Sequence, residues 1–304
     1  MVKVDLITGF LGSGKTTFIK KYARYLMEQG QNIGILENDF GAINVDMMLL
    51  ENCELEMVAG GCDKDCYRRR FKTKLIAMGM CGYDRVLIEP SGIFDVDDFF
   101  DALHEEPLDR WYQIGNVITV VDASLEKTLS KEADYVLASE VANAGCVLLS
   151  KTQDASAEEI RQTVAHLNRA LQEIHCSRVL KDEVICKDWE DFTEKEFKKI
   201  LESGYLVEDY EKMYADQDEI FQTLFFMDEK SAVSKAKHAA KKIFEDPACG
   251  GVLRIKGFLQ DGENWLELNA TQHEISLKPI GAGQDVLIII GEKLNEEKIR
   301  YYLE

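Results

Sequence analysis

No apolar run in this 304-residue sequence approaches the roughly 18 consecutive apolar residues that a transmembrane helix needs. The N-terminal segment also lacks the apolar core of a signal peptide. Basic residues are scarce beside acidic ones, with 36 Lys and Arg against 55 Asp and Glu, so the formal net charge is −19. Such a chain repels nucleic acid and anionic membranes. We therefore expect a soluble, cytoplasmic protein that binds neither.

The sequence contains no dense cysteine framework, no internal repeat and no low-complexity tract. Its 8 cysteines are scattered along the chain, and in a cytoplasmic protein most of them should be reduced. A hydrophobic fraction of 46% with 30% charged residues is ordinary for a globular protein. The length allows about two domains.

Short apolar runs alternate with helical patterns in the first half of the chain. Ile19, Tyr22, Ala23 and Leu26, for example, follow the spacing of one buried helix face. This alternation predicts a parallel sheet covered by helices, in which ligands bind at the carboxyl ends of the strands. The strand-like runs are residues 4–8, 33–36, 85–88, 116–121 and 146–149.

A glycine-rich stretch directly follows the first of these runs and precedes a helical pattern. Residues 9–16 match the phosphate-loop pattern G-x-x-x-x-G-K-[ST] in full, and glycines let backbone N–H groups turn inward toward phosphate at a helix N-terminus. We expect Lys15 to reach the β- and γ-phosphates, Thr16 to ligate Mg²⁺ and Thr17 to contact the α-phosphate. The predicted phosphate-binding residues are Gly9, Gly12, Ser13, Gly14, Lys15, Thr16 and Thr17.

Two acidic residues are candidates for catalysis and Mg²⁺ binding. Glu89 directly follows the apolar run 85–88. A carboxylate at this place can hold the metal through water or polarise the attacking water. Asp39 follows the second run, a place where loops order around the γ-phosphate and its Mg²⁺. The predicted catalytic residues are Lys15, Glu89 and Asp39, and the predicted Mg²⁺ ligands are Thr16, Glu89 and Asp39. We expect a nucleoside triphosphatase.

These patterns predict two domains. Residues 1–205 are expected to form an α/β P-loop nucleoside triphosphatase domain with a mostly parallel sheet, and residues 206–304 a smaller α+β domain. The acidic, weakly periodic stretch up to about Tyr214 is interpreted as the end of the first domain and a connection. An amphipathic helix is predicted at 157–174, within the first domain. In the second domain, strands are predicted at 220–227, 252–259, 265–277 and 285–290, and helices at 231–244 and from Leu294 onward.

Several motifs in this order and spacing resemble the CobW-like GTPases, which are related to the UreG and HypB proteins. The segment Leu253-Arg-Ile-Lys-Gly257 and the closing strand and helix are similar to the CobW C-terminal domain. The resemblance implies a slow, GTP-dependent metallochaperone with Zn²⁺, Co²⁺ or Ni²⁺ as cargo and a metalloenzyme as its client. The oligomeric state stays open, with a homodimer as one alternative. The motifs are Thr8–Thr17, Glu37-Asn-Asp-Phe-Gly41, Gly60-Gly-Cys62, Ile88-Glu-Pro-Ser-Gly92, Val120-Val-Asp-Ala123 and Ser150-Lys-Thr152.

The cargo-metal motif departs from the pattern of that family, Gly-Cys-x-Cys-Cys. Here Cys62 is followed by Asp-Lys-Asp before Cys66. Two thiolates four residues apart, together with Glu37, Asp63 or Asp65, could form a mixed sulfur and oxygen site that a borderline-soft metal accepts. The alternative is a pair of spare thiols left from a lost site, which favours a nucleotide-gated adaptor that activates a partner enzyme without cargo metal.

The base-reading loop departs as well. The family pattern [Ser/Asn/Thr]-Lys-x-Asp places a carboxylate on guanine, whereas this chain has Ser150, Lys151, Thr152 and Gln153. A glutamine amide offers one acceptor oxygen and adds donors, unless Asp154 takes the place of the carboxylate. The resemblance favours GTP, and ATP stays open. A third reading, a small-molecule phosphotransferase, would need an arginine-bearing lid that the sequence does not point to.

Overall fold

The computed structural model describes most of the chain as two compact units, one running to residue 213 and the other starting at residue 221. Only the backbone is described at 54–57, 64–67 and 234. The described residues are 1–37, 54–57, 64–90, 96–126, 128–213, 221–227, 233–262, 264–281 and 285–303.

The first unit extends beyond residue 205, where the sequence analysis places the domain boundary. Residues that follow the boundary are hydrogen-bonded to it: the Leu206 N–H donates to the Asn143 carbonyl at 2.9 Å, and the Glu211 N–H donates to the Ile174 carbonyl at 2.8 Å. The stretch 206–213 therefore belongs to the first compact unit.

A seven-stranded sheet forms the centre of the first unit, and its strand pairs are parallel. The order across the sheet is β3-β2-β4-β1-β5-β6-β7, which places β1 in the middle. The α/β fold and the parallel sheet are as predicted. The strands are β1 (Val2–Thr8), β2 (Ile33–Glu37), β3 (Glu54–Met57), β4 (Arg85–Glu89), β5 (Tyr112–Asp122), β6 (Cys146–Ser150) and β7 (Val184–Ile185).

Helices connect these strands. The first helix buries Ile19, Tyr22, Ala23 and Leu26, the face that the sequence pattern predicts. The helices of this unit are α1 (Lys15–Glu28), α2 (Lys64–Gly79), α3 (Val96–His104), α4 (Leu108–Trp111), α5 (Lys131–Asn143), α6 (Ala157–Glu173) and α7 (Glu194–Leu201).

The carboxyl edge of the sheet brings polar strand ends together. Glu37 on β2 is in register with Glu89 on β4, and Asp122 on β5 is in register with Ser150 on β6. Since neighbouring strands lie about 4.8 Å apart, these side chains are grouped at one edge, where β1 also ends.

The stretch that the sequence analysis interprets as a connection contains regular structure. It holds β7, a 3₁₀ turn at Trp189–Asp191 and α7. The signal is weak in sequence because β7 is two residues long and Ile200 is the one buried residue of α7.

A buried polar cluster lies around Asp5, the central residue of β1. One guanidinium nitrogen of Arg85 is 2.5 Å from both carboxylate oxygens of Asp5, and the Tyr22 hydroxyl and the Asn116 N–H each donate to that carboxylate at 2.9 Å. A Cβ at Gly115 would lie 2.3 Å from Asp5 Oδ1, so this position needs glycine. The cluster ties β1 to β4, β5 and α1.

In its described residues, the second unit is an antiparallel sheet with two helices, which agrees with the predicted α+β class. Its strand order is β11-β10-β9-β12-β8. The single strand predicted at 265–277 is wrong: the chain turns there, with the Thr271 N–H donating to the Glu274 carbonyl at 2.8 Å. The elements are β8 (Phe221–Met227), α8 (Val233–Glu245), β9 (Gly251–Asp261), β10 (Asn264–Ala270), β11 (Ile275–Ile280), β12 (Val286–Glu292) and α9 (Glu296–Leu303).

One face of this sheet packs on both helices. Ala240 and Ile243 of α8, Ile289 of β12 and Ile299 of α9 are all nearly inaccessible in one apolar cluster. Within the described ranges, no helix is both long enough and apolar enough to cross a membrane.

Candidate nucleotide site

The glycine-rich loop joins the end of β1 to the start of α1. Three of its glycines have positive φ, 143° at Gly9, 76° at Gly12 and 98° at Gly14. A Cβ at Gly9 would lie 2.1 Å from the Val120 carbonyl oxygen on β5, so a larger residue would displace the loop. Gly14 is the N-cap residue of α1. The loop therefore presents backbone N–H groups at a helix N-terminus, the arrangement that binds phosphate.

Lys15 lies over this loop and is only 6% exposed. Its Nζ donates to the Gly9 carbonyl at 2.7 Å and lies 3.5 Å from the Phe10 carbonyl oxygen. The ammonium is thus held on the rim of the loop by neutral carbonyl groups, which a phosphate oxygen could replace with a charge-assisted bond.

The other predicted phosphate-binding side chains differ in accessibility. Ser13 is 2% exposed, and its hydroxyl has no hydrogen-bond partner in the described part of the chain. Thr17 is exposed on the first turn of α1.

Thr16 and Glu89 meet at the carboxyl edge. The Thr16 hydroxyl lies 2.8 and 3.0 Å from the two carboxylate oxygens of Glu89, which is 7% exposed. A hydroxyl and a carboxylate are hard oxygen donors, the ligand type that Mg²⁺ prefers. The donor set at this place therefore fits Mg²⁺.

The residues predicted for the cargo metal are only partly described. Glu37 is 2% exposed and its Cα is in register with that of Glu89. Asp39 and Cys62 lie outside the described residues, and Cys66 is described only as part of the backbone of α2. Among the side chains that are described, no group of three or more His, Cys, Asp or Glu is placed to hold a metal ion.

The base-reading loop follows β6. The Ser150 hydroxyl donates to the Val121 carbonyl at 3.3 Å, and Lys151, with φ of 54°, forms an ion pair with Asp122 at 2.8 Å. The Gln153 amide donates to the Asp154 carboxylate at 2.9 Å. The two candidate base-reading side chains are therefore bonded to each other on an exposed turn.

The sequence match agrees with this geometry. Residues 3–178, more than half of the chain, match the family described as CobW/HypB/UreG, nucleotide-binding domain. The chain belongs to the CobW/HypB/UreG family. The matched region contains the glycine-rich loop, Glu89 and the base-reading loop.

Several family relatives are named for zinc. The zinc chaperone YjiA of Escherichia coli (strain K12) is 30% identical over 181 residues, which cover 55% of this chain and 55% of that protein. The zinc-regulated GTPase metalloprotein activator 1 of Schizosaccharomyces pombe is 24% identical over 184 residues, 55% of this chain and 44% of that protein. The chain thus spans about half the length of the curated relatives it matches.

Solved structures are also similar to this member of the family. The alignment with the structure of Zn(II)-bound YjiA GTPase from E. coli covers 99% of this chain and 97% of the YjiA chain, at 23% identity and a TM-score of 0.43. The hydrogenase maturation factor HypB from Archaeoglobus fulgidus covers 66% of this chain and 87% of that one, at 17% identity and a TM-score of 0.44.

Trp189 lies beside the phosphate loop of this CobW/HypB/UreG domain. This position is not predicted from the sequence. A Cβ built at Gly14 would lie 3.5 Å from the six-membered ring of Trp189 and 3.6 Å from the Cβ of Ser150. The ring packs edge-on against Phe18 with centroids 5.6 Å apart. A tryptophan after a two-residue strand has no motif, so packing alone brings it beside the phosphate loop.

Glu140 lies beneath the loop and also escapes the sequence analysis, because it belongs to no motif. It is 0% exposed on α5, and its Oε1 accepts from the Thr8 hydroxyl at 2.6 Å and from the Gly9 N–H at 3.3 Å. Burial raises the pKa of this carboxyl to about 7, against the opposing effects of the Thr8 hydrogen bond and the Lys15 charge. The first residue of the phosphate loop is thus bonded on both sides, its N–H to Glu140 and its carbonyl to Lys15.

Proposed function

We propose that this chain binds Mg²⁺–GTP in its phosphate loop, hydrolyses it slowly, and uses the nucleotide state to control the handling of a transition metal. The observation that carries the proposal is the contact of Thr16 with Glu89 at the edge of the sheet, directly after the phosphate loop and Lys15. Lys15 is buried over the loop, and the Thr16 hydroxyl is 2.8 Å from Glu89. A buried ammonium on the phosphate loop, together with a pair of hard oxygen donors at the carboxyl edge of the sheet, matches a polyphosphate with its magnesium ion.

Each of these residues has a task in hydrolysis. The loop N–H groups and Lys15 hold the phosphates and stabilise the negative charge that develops as the γ-phosphoryl leaves. Thr16 and Glu89 would hold Mg²⁺, which neutralises phosphate charge. Glu89 also accepts a hydrogen bond from the attacking water and orients it. Asp39, outside the described residues, is assigned a further role at the metal.

The base preference is assigned from the family, and the loop after β6 can accommodate it. Lys151 can pack its stem along the plane of the base, and Asp154 can supply the two-oxygen acceptor for guanine if the bond from Gln153 opens. We therefore assign GTP, with ATP as the competing nucleotide. Comparing GTP and ATP affinities of Asp154→Asn with those of wild type tests this: a selective loss of GTP affinity is expected, and an equal effect on both nucleotides would contradict the assignment.

The metal part of the proposal is supported by the relatives that are named zinc chaperones. Cys62 and Cys66 would supply thiolates and Glu37 a carboxylate, a mixed set that suits Zn²⁺, Co²⁺ or Ni²⁺. Glu37 adjoins Glu89 in register, so a change at the γ-phosphate can alter the metal ligands. A metalloenzyme client would receive the ion.

Hydrolysis is tested by Glu89→Gln. This variant keeps the size of the side chain and removes its charge, so we expect nucleotide binding to persist and turnover to fall by about 100-fold, the usual scale for a general-base contribution. Phosphate release under single-turnover conditions measures it, with Glu106→Gln, an exposed glutamate, as the matched control. Wild-type turnover in Glu89→Gln would refute the assignment.

Metal coupling is tested by Zn²⁺ and Co²⁺ titrations with GDP and with a non-hydrolysable GTP analogue. We expect different affinities in the two nucleotide states, and loss of binding in Cys62→Ala/Cys66→Ala but not in Cys81→Ala, which changes an exposed cysteine. Equal affinities, or intact binding in the double variant, would instead favour an adaptor without cargo metal.

A further inference from the structure

We propose that Glu140 is a positioning residue of the phosphate loop and that triphosphate binding is accompanied by proton uptake at its carboxyl group. The inference rests on the proposed function in one respect, that the loop binds a nucleoside polyphosphate. It concerns a side chain that does not touch the phosphates and acts through Gly9 and Thr8.

The first step is the contact between Glu140 and the start of the loop. Its Oε1 accepts from Thr8, the last residue of β1, and from the N–H of Gly9, the first residue of the loop. A Cβ at Gly9 would meet the Val120 carbonyl oxygen at 2.1 Å, so this residue is already closely confined on its other side. Glu140 therefore helps to fix the point from which the loop N–H groups are aimed.

The second step concerns the other carboxylate oxygen. Glu140 Oε2 is buried and has no hydrogen-bond partner in the described part of the chain. A buried charged oxygen without a partner is costly, whereas a protonated one is neutral. The position therefore favours the acid form, in which Oε2 carries the proton and Oε1 still accepts from Thr8 and Gly9.

The third step is the effect of the ligand on this balance. Lys15 is the ionisable group whose charge favours the carboxylate form of Glu140. When its Nζ moves from the Gly9 carbonyl to phosphate, a cation close to Glu140 becomes paired with an anion. The phosphates also add negative charge near a buried site, where charges interact strongly. Both changes favour the neutral acid, so binding draws a proton from solution.

Other charged groups around α5 are occupied elsewhere. His166 of α6 is 2.6 Å from Asp134, near the start of α5 and six residues before Glu140. Arg178 donates to the Ala142 carbonyl at 3.0 Å, two residues beyond Glu140, and lies within 3.6 Å of the Glu183 carboxylate. Lys15 is therefore the charged group through which nucleotide binding is communicated to Glu140.

The proposal is tested by measuring the affinity for a non-hydrolysable Mg²⁺–GTP analogue from pH 6 to 8.5. One linked proton weakens binding by up to about tenfold per pH unit above the pKa of the free protein. We expect wild-type affinity to fall several-fold more over this range than that of Glu140→Gln, which keeps the shape and the acceptor oxygen but cannot titrate. Calorimetry in two buffers of different ionisation enthalpy should show proton uptake in wild type that the variant lacks.

Thr8→Val is a second variant with an opposite expectation. It removes the hydrogen bond that favours the carboxylate, so the pH at which affinity falls should move upward instead of disappearing. Valine has the shape of threonine and suits a buried strand, which preserves the fold. This variant decides the matter if Glu140→Gln does not fold: an unchanged midpoint would overturn the proposal.

The outcomes separate this inference from the function on which it rests. If the Glu140→Gln variant binds nucleotide with the same pH dependence and the same proton uptake as wild type, the proposed role of Glu140 is overturned and the proposed function is not. No affinity of the wild-type protein at any pH would overturn both.

Discussion

Glu140 is a single ionisable side chain whose burial makes the stability of the protein depend on pH. Its pKa in the folded protein is about 7, above the ordinary value of 4.5. Between these values the folded protein keeps a proton that the unfolded chain has released. The stability that this group contributes is therefore fully present below about pH 4.5, is lost as the pH rises toward 7, and stays low above it.

Replacing Glu140 with glutamine should remove this loss. Each unit of pKa shift corresponds to about 1.4 kcal/mol, so the variant should gain about 2–3 kcal/mol of stability relative to wild type between pH 5 and pH 8. Urea denaturation of both proteins at the two pH values measures the free energy of unfolding. If the difference in stability between wild type and the variant is the same at pH 5 and at pH 8, Glu140 is not a buried carboxyl that titrates between these values.

Trp189 should report nucleotide binding, because its ring lies beside Gly14 and Ser150. We expect a change in tryptophan fluorescence when the loop is filled, and its loss in Trp189→Phe. The other tryptophans, Trp111 in α4 and Trp265 in β10, provide the control, since each can be replaced by phenylalanine without removing the signal. A signal that survives in Trp189→Phe would place the ring away from the ligand.

Residue spacing predicted the loop and Glu89 because their positions follow from one rule, that parallel strands end at a common edge. The structure accordingly brings Thr16 and Glu89 into contact. Glu140 and Trp189 could not be predicted in this way. Their places depend on how α5 and a short 3₁₀ turn pack against the loop, and neither element carries a motif.

At the scale of elements, the buried Asp5–Arg85 pair joins two central strands. Asp5 is 0% exposed and Arg85 3%, so neither charge can be solvated if its partner is removed. Arg85→Met should lower the free energy of unfolding by about 3–5 kcal/mol, the usual cost of leaving one buried charge unpaired.

Lys3→Met is the matched control for this prediction. Lys3 is the register partner of Arg85 on β1 but is exposed, so its substitution should change stability by less than about 0.5 kcal/mol. Denaturant titration compares the two variants, and equal effects would mean that the pair contributes no more than a surface lysine.

The strands and helices of the first unit were predictable to the extent that their apolar pattern is regular. The runs that became β1, β2, β4, β5 and β6 are almost entirely buried, which produces continuous apolar sequence. The elements β7 and α7 are short and bury few residues, so their sequence resembles a connection. In the second unit, β10 and β11 are predicted as one strand because the four-residue turn between them contains neither glycine nor proline.

At the scale of the whole molecule, charge opposes the proposed ligand. The chain carries a formal charge of −19, and a nucleoside triphosphate is itself an anion. Binding therefore depends on the local field of the loop amides and Lys15, and on the magnesium ion. Moderate salt should help the approach of the nucleotide, because it screens the distant surface charges more than the buried contacts.

The family match ends at residue 178 and leaves the second unit outside it. The fold class of both units was predictable from the sequence, since patterning alone distinguishes a buried parallel sheet from an antiparallel one with helices. The client and the metal depend on surfaces and loops for which patterning gives no such signal.

The most direct test of the account is a calorimetric titration of Mg²⁺–GTP into the wild-type protein and into Lys15→Ala. We expect saturable binding by wild type and a loss of at least about 100-fold in affinity for the variant, since a buried, charge-assisted contact is worth roughly 3 kcal/mol. Lys20→Ala on the same helix should bind as wild type does. Equal affinities of wild type and Lys15→Ala would contradict the claim that this loop holds the triphosphate.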